Sequence, residues 1–148
     1  MEIRFVTADS ADFRSLAAQL DAYYFTLVGD IQLKYAEPNR PENMNALAVA
    51  YEGEIPIACG AWKAIDRDTA EIKRIFVDPA HRRKGAASRM IRALEENVLA
   101  SGRHKLILET AVDTSGSHAL YGALGYKTRD YYGSPAGADN CLCFHKEI

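Results

Sequence analysis

The sequence of 148 residues lacks any apolar run approaching the roughly 18 to 20 residues that a bilayer-spanning helix needs. Its first residues, MEIRFVTADSAD, also lack the apolar segment of a secretory signal peptide. We therefore expect a cytoplasmic protein without a membrane partner.

Cysteine is scarce, with three residues at Cys59, Cys141 and Cys143. Their odd number and their positions in strand-like apolar runs indicate reduced core or sheet residues rather than a disulfide framework. Cys141 and Cys143 share one face of a predicted strand and could bind a ligand. No His/Cys set at zinc spacing accompanies them, so we expect no metal.

An excess of charge of one sign is lacking as well. The 18 Lys and Arg residues against 20 Asp and Glu residues give a net charge of −2. This balance offers no electrostatic footprint for nucleic acid, and a nucleic-acid partner is not expected. The length is that of one ordinary domain, and no repeat or low-complexity tract divides it, so we predict a single domain over residues 1–148.

The first half of the chain predicts one strand, helices and then a meander. Alternation predicts a strand over residues 2–7, and Asp9 or Ser10 can cap a helix that continues through Leu20. A second helical stretch is predicted around residues 23–33. Three strands follow, joined by short turns, and lie over residues 46–51, 55–65 and 70–77.

The second half alternates helices with strands. Apolar residues at helical spacing predict a helix from Ala87 to about Gly102 and a shorter one over 117–124. Strands are predicted over 105–111, 126–131 and 141–146, the last two joined by a loop at 133–140. A meander followed by this alternation is typical of an α/β (α+β) domain with a mixed sheet.

The strand over residues 70–77 changes phase. Ala70 and Ile72 are apolar on one phase of the alternation, whereas Ile75 and Val77 are apolar on the other. A β-bulge produces such a slip, because it inserts one residue and turns the following side chains to the other face. A strand covered on both faces explains the pattern equally well.

Three cations, Arg82, Arg83 and Lys84, stand where the helix of residues 87–102 begins. Each cation in a first helical turn costs about 0.3 to 1 kcal/mol, and no Ser, Thr, Asp or Asn precedes Gly85 as a cap. Both defects disappear if the free amides and the cations bind a phosphate, which the small Gly85 and Ala86 would let approach closely. The alternative is a solvated basic turn.

Neither GxxxxGK[ST] nor GxGxxG is present, so the two common nucleotide-binding motifs are excluded. Instead, the run VDPAHRRKGAASRMIRALE resembles the coenzyme A signature of the GNAT N-acetyltransferase superfamily, with Arg82, Gly85 and Ala87 in its three fixed places. Further motifs occur in the family's order over residues 70–147: AEIKRIFVDP, LILETA, HALYGALGY and CLCFHKEI. Thr114 departs from the pattern, since asparagine is often found there.

The resemblance implies the GNAT fold, a mixed and mostly antiparallel sheet of about six to seven strands flanked by about four helices and splayed between strands 4 and 5. It also implies an enzyme that transfers an acetyl group from acetyl-CoA to a primary amine of a small molecule or peptide, by direct attack in a ternary complex. A monomer or homodimer is expected. The alternative is an acyl-CoA-binding sensor or regulatory domain without turnover.

The resemblance also implies roles for individual residues. Tyr121 lies where the family places the acid that protonates the departing thiolate, and Glu71 or Glu109 could act as the base. The alternatives are a packing tyrosine and a salt bridge of Glu71 with Lys73 or Arg74. His81 and His118 are further, weaker candidates for the base. The implied coenzyme A site comprises Ile75, Phe76, Val77, Arg82, Arg83, Lys84, Gly85, Ala86, Ala87, Ser88, Thr114 and Ser117.

The order of the elements places the acceptor site between the N-terminal helices and the last hairpin. Aromatic residues could line it, and acidic residues could attract a cationic amine. The candidates are Tyr23, Tyr24, Tyr35, Tyr132, Asp21, Asp30 and Glu37.

Overall fold

The structure is a computed structural model that describes residues 1–111, 115–133 and 141–148. Within these residues, seven strands form one sheet in the order β1-β2-β3-β4-β5-β7-β6. The strands are β1 (Glu2–Val6), β2 (Ala46–Glu52), β3 (Ile55–Ala64), β4 (Thr69–Val77), β5 (Lys105–Ala111), β6 (Lys127–Arg129) and β7 (Cys141–Glu147). The α-helices are α1 (Ala11–Val28), α2 (Ala86–Ala100) and α3 (Ser115–Ala123). Single 3-10 segments cover Gly29–Tyr35, Pro41–Asn43 and Pro79–His81.

The sheet is mixed, as predicted. Every neighbouring pair of strands is antiparallel except β4 and β5, which run parallel. Strand β6 is shorter than predicted at both ends. At its start, the Tyr126 amide donates to the Tyr121 carbonyl at the end of α3 (3.0 Å) instead of joining the sheet. Of the predicted loop at 133–140, residues 134–140 lie outside the described residues.

Helix α1 is longer than the sequence predicts. The Ser10 side chain caps it by accepting from the Phe13 amide (3.2 Å), and the helix then continues without a break into the second predicted helical stretch, as far as Val28. No Gly or Pro interrupts residues 11–28, and Gly29 ends the helix with a positive φ of 61°. Three α-helices and a 3-10 segment therefore stand where about four helices were expected.

Both faces of the sheet carry a core. Helix α2 buries Met90, Ile91, Leu94 and Val98 completely against one face, which confirms the amphipathic pattern. Helix α1 packs residues including Phe13 against the opposite face. A central strand is consequently covered on both sides.

The predicted bulge is present in β4. Cys59 pairs with Phe76 and Ala61 with Lys73, so two residues of β4 lie opposite Gly60 alone. One of the two, Arg74, has the left-handed φ of 61°. Because β4 is also buried on both faces, both explanations of the phase slip hold.

Gly60 leaves room for the bulge, and we expect Gly60→Ala to destabilise the fold by about 1 to 3 kcal/mol. A Cβ here would lie 2.8 to 2.9 Å from the Ile75, Leu94 and Met90 side chains. Urea unfolding measures the loss. The control is Gly122→Ala in α3, where a Cβ meets nothing within 4 Å, and this change should leave stability equal or raise it. Equal stabilities of the two variants would contradict the close packing at Gly60.

Strands β4 and β5 separate after a short common stretch. They pair from Thr69 and Lys105 to Ile72 and Leu108, and no pairing joins them beyond these residues. From there β5 continues along β7 alone, as far as Ala111 opposite Cys141. The end of β4 therefore has an unpaired edge towards β5, which is the splay that the resemblance implied.

Candidate active site

A cleft of about 750 Å³ opens where β4 and β5 separate. Its walls come from β4, β5, the loop before α2, the first turn of α2, α3, α1 and the 3-10 segment after α1. Most residues that the sequence assigned to the coenzyme A site line it, together with all three proposed catalytic residues. These are Glu71, Ile75, Phe76, Val77, Arg82, Arg83, Gly85, Ala86, Ala87, Ser88, Glu109, Ser117 and Tyr121. Lys84 is exposed and is not among the lining residues, and Thr114 lies outside the described residues.

The N-terminus of α2 has no side-chain cap, as the sequence indicates. The first helical hydrogen bond runs from the Arg89 amide to the Gly85 carbonyl (3.1 Å), so the amides of residues 86–88 have no acceptor within the helix. Arg83 and Gly85 both have left-handed φ values, 64° and 83°. Alternation of this kind aims successive amides into one concavity, which suits an anion.

Side chains before α2 are tied to β4 and to their own turn. The Arg82 Nε donates to the Val77 carbonyl (2.9 Å), and its guanidinium lies 5.7 Å from the centre of the Phe76 ring. Asp78 is used locally, since it accepts from the Ala80 amide (3.2 Å) and lies 2.8 Å from the His81 Nδ1. Therefore, among the described residues, no carboxylate accepts a hydrogen bond from the first amides of α2.

Tyr121 is buried at the wall of the cleft. Its ring packs against those of Tyr126 (5.6 Å between centres) and Phe144 (5.7 Å). Burial raises the pKa of Tyr121 above its usual range, and the neighbouring Tyr24 adds to the effect. Tyr121 is thus both a packing residue and a phenol that keeps its proton at neutral pH.

Glu71 is buried and already has a cationic partner. Its carboxylate lies 3.4 Å from the Lys73 Nζ and accepts a hydrogen bond from the Tyr132 hydroxyl (2.7 Å). The salt bridge that the sequence offered as the alternative is present, in a buried setting. Burial and the charge of Glu71 raise the pKa of Tyr132.

Glu109 is held by neutral donors. Its Oε1 accepts from the Tyr35 hydroxyl (3.1 Å) and from the Tyr131 hydroxyl (3.3 Å). Burial, with a further contribution from Glu109, raises the pKa of Cys141 to about 12, so this thiol stays protonated beside the carboxylate. A Cβ on Gly133 would lie 2.6 Å from the Glu109 Oε2, so a side chain there would displace this carboxylate. In the described part of the chain, Glu109 forms no salt bridge.

The chain also resembles known proteins. Residues 11–126 match the model of the acetyltransferase (GNAT) family. The chain belongs to the GNAT acetyltransferase family. It is 34% identical over 138 residues to an IAA acetyltransferase of Azospirillum brasilense. The aligned region covers 87% of this chain and 85% of that protein.

Solved structures give this acetyltransferase the same fold. A Klebsiella pneumoniae protein assigned to the acyl-CoA N-acyltransferases has a TM-score of 0.81 and 26% identity, over 99% of this chain and 96% of that one. An Elizabethkingia anophelis GNAT acetyltransferase with acetyl-CoA bound has a TM-score of 0.71 and 17% identity, over 99% and 97% of the two chains. None of the described helices of the acetyltransferase is both long and apolar enough to cross a membrane.

Several acceptor-site candidates lie elsewhere in the acetyltransferase. Tyr23, Tyr24 and Tyr35 line the cleft, but Tyr132 reaches Glu71 from outside the lining residues. Glu37 pairs with Arg40 at the surface. Neither Glu37 nor Asp30 is a lining residue.

The two histidine candidates are engaged by other groups. The His118 Nε2 lies 3.2 Å from the Ala111 carbonyl, and its ring contacts that of Phe144. His81 is paired with Asp78. Neither arrangement favours a role as base.

Arg74 is a lining residue that the sequence analysis named only as a possible partner of Glu71. It is buried at the bulge, and its Nη2 donates to the Ala17 carbonyl (3.0 Å) and to Asp21 (2.7 Å), both in α1. The bulged strand and the helix of the opposite wall are therefore joined directly. A charged residue at the point where the alternation of β4 changes phase was the available signal, but the sequence does not show which helix it reaches.

Proposed function

We propose that this acetyltransferase transfers an acetyl group from acetyl-CoA to a primary amine of a small molecule or peptide, by direct attack in a ternary complex. One observation carries the proposal, namely that three features line a single cleft. They are the uncapped, cation-rich N-terminus of α2, the unpaired edge of β4, and the carboxylates of Glu71 and Glu109. The Elizabethkingia relative binds acetyl-CoA within the same fold. We call the part of the cleft lined by residues 75–88 the donor half, and the part lined by α1, the following 3-10 segment, Glu71, Lys73 and Glu109 the acceptor half.

In the donor half, the diphosphate of coenzyme A would bind the amides of residues 83–87, with Arg82 and Arg83 beside it. The pantetheine arm would then pair with β4 at residues 75–77 as an added strand. The unpaired edge of β4 supports this pairing. Ser88 and Ser117 line the same half and can contribute hydrogen bonds.

Strand geometry selects the amide that would stabilise the developing oxyanion. The Asp78 amide donates to the Ile57 carbonyl (2.8 Å), so the alternation of β4 directs the Phe76 amide towards β3 as well. The amides of Ile75 and Val77 then face the cleft. We therefore assign the oxyanion to the Ile75 amide.

The reaction requires one bond to form and one to break. A neutral amine attacks the thioester carbonyl carbon, and the tetrahedral intermediate collapses with cleavage of the carbon–sulfur bond. The thiolate takes the proton of the Tyr121 hydroxyl, and the amine loses its surplus proton to a carboxylate directly or through water. Glu109 fits that carboxylate better than Glu71, because Lys73 already neutralises Glu71.

The test is release of free thiol from acetyl-CoA in the presence of an amine panel that spans polyamines, amino acids, aminoglycosides, aryl amines and peptide N-termini. We expect at least one amine to support turnover well above the rate of hydrolysis. If acetyl-CoA raises the melting temperature but no amine releases thiol, the protein is an acyl-CoA-binding domain without turnover, and the proposed function is wrong.

A further inference from the structure

The wall of the acceptor half is mainly apolar and aromatic, with the amide side chains of Gln32 and Asn39 as its polar members. Val28, Ile31 and Tyr35 line the cleft from the end of α1 and from the 3-10 segment after it. None of the three belongs to the two buried core clusters, yet each is partly buried. Tyr23 lines the same wall with 39% of its surface exposed. These side chains present apolar surface to the cleft rather than to the protein core.

The charges of the acceptor half leave one carboxylate uncompensated. Arg74 is held by Asp21 (2.7 Å), and Lys73 by Glu71 (3.4 Å). Glu109 forms no salt bridge with any described residue. Residues 112–114 and 134–140 contain no Lys, Arg or His in the sequence. This half therefore carries a negative charge that suits one ammonium group, and its lysine and arginine are both already paired.

We infer that the acceptor is a monoamine on an aromatic or aliphatic body, without a carboxylate. The inference rests on the proposed function and names its substrate class. The ammonium docks on Glu109, which passes its first proton on to solvent water, so Glu109 is ionised again when the tetrahedral intermediate gives up its surplus proton. The body of the amine packs against the wall of Val28, Ile31 and Tyr35. An amino acid would bring a carboxylate into a half that is already negative. A polyamine would place a second ammonium against apolar side chains.

Four matched acceptors test the inference in the thiol-release assay at saturating acetyl-CoA. They are 2-phenylethylamine, phenylalanine, which adds only the carboxylate, ethylamine, which removes the ring, and 1,4-diaminobutane, which replaces the ring by a second amine. We expect kcat/KM for 2-phenylethylamine to exceed each of the others by about tenfold or more. If phenylalanine or 1,4-diaminobutane is used equally well or better, the inference is wrong while the proposed function stands. If none of the amines is acetylated although the wider panel contains a substrate, the inference is again wrong. No turnover with any amine would overturn both.

A pair of variants locates the preference in the wall. Ile31→Asn should lower kcat/KM for 2-phenylethylamine about tenfold through KM, and by more than for ethylamine, with unchanged affinity for acetyl-CoA. Leu33→Asn is the control, since Leu33 belongs to the same segment, is 66% exposed and does not line the cleft. Its kinetics should equal those of the unmodified protein. Equal losses in both variants, or a parallel fall in melting temperature, would indicate a structural effect and overturn the assignment of the wall.

Discussion

Replacing Gly85 with aspartate should abolish measurable binding of acetyl-CoA. The new carboxylate would stand at the uncapped N-terminus of α2, where we place the diphosphate. Two unit charges about 4 Å apart near a protein surface repel by about 4 kcal/mol, which corresponds to roughly a thousandfold weaker Kd. The fold should survive, because a Cβ at this position meets no atom within 4 Å. Titration calorimetry with acetyl-CoA and a thermal melt measure the two effects separately.

Gly85→Asn is the matched control for charge. Asparagine has nearly the same shape as aspartate and tolerates the left-handed φ of 83° better than most residues. It should weaken acetyl-CoA binding far less than aspartate does. Equal losses would mean that backbone conformation or bulk, rather than charge, governs the site. Retained affinity in Gly85→Asp would place the diphosphate elsewhere.

Replacing Tyr121 with phenylalanine should lower kcat about 100-fold or more, which is the usual contribution of a general acid. Acetyl-CoA affinity should change little, since the variant keeps the ring that packs on Tyr126 and Phe144. The raised pKa of Tyr121 means that its proton is retained at neutral pH and above, so the hydroxyl is protonated when the sulfur departs. Turnover at saturating concentrations of both substrates and the Kd of acetyl-CoA by calorimetry measure the two quantities.

Tyr51→Phe provides the control for removal of a hydroxyl. Tyr51 donates to Asp12 (2.5 Å) and is not a lining residue of the cleft, so its loss should leave kcat unchanged. An unchanged kcat in Tyr121→Phe as well would remove Tyr121 from the role of acid and leave it as a packing residue. A melting temperature lowered equally in both variants would not explain a fall in kcat that only Tyr121→Phe shows.

Local features of the fold were predictable because neighbouring residues carry their signals. The phase slip between Ile72 and Ile75 predicted the bulge, and the missing cap before Gly85 predicted the uncapped start of α2. The predicted end of α1 was wrong, because no Gly or Pro follows Leu20 before Gly29. The tyrosines and the phenylalanine in between continue a helix at little cost.

The acceptor half depends on contacts between residues that lie far apart in the sequence, which local patterns do not predict. Glu109 is held by Tyr35 and Tyr131, which lie 74 and 22 positions away along the chain. The pairing of Arg74 with Asp21 spans 53 positions. Such contacts depend on how α1, the 3-10 segment after it and the residues after β6 pack across the splayed strands, and local sequence patterns do not reveal these partners. The packing of Ile75 against Gly60 is of the same kind.

The two halves of the cleft come from different parts of the chain. Most of the donor half is one continuous stretch, residues 75–88, whereas the apolar wall of the acceptor half comes from residues within 20–39. If the two halves bind as we propose, mutations in the first third of the chain should alter which amine is accepted without weakening the binding of acetyl-CoA. Natural selection can treat the two as separable modules. A family built this way can diversify its acceptors rapidly while its members continue to share a common acetyl donor.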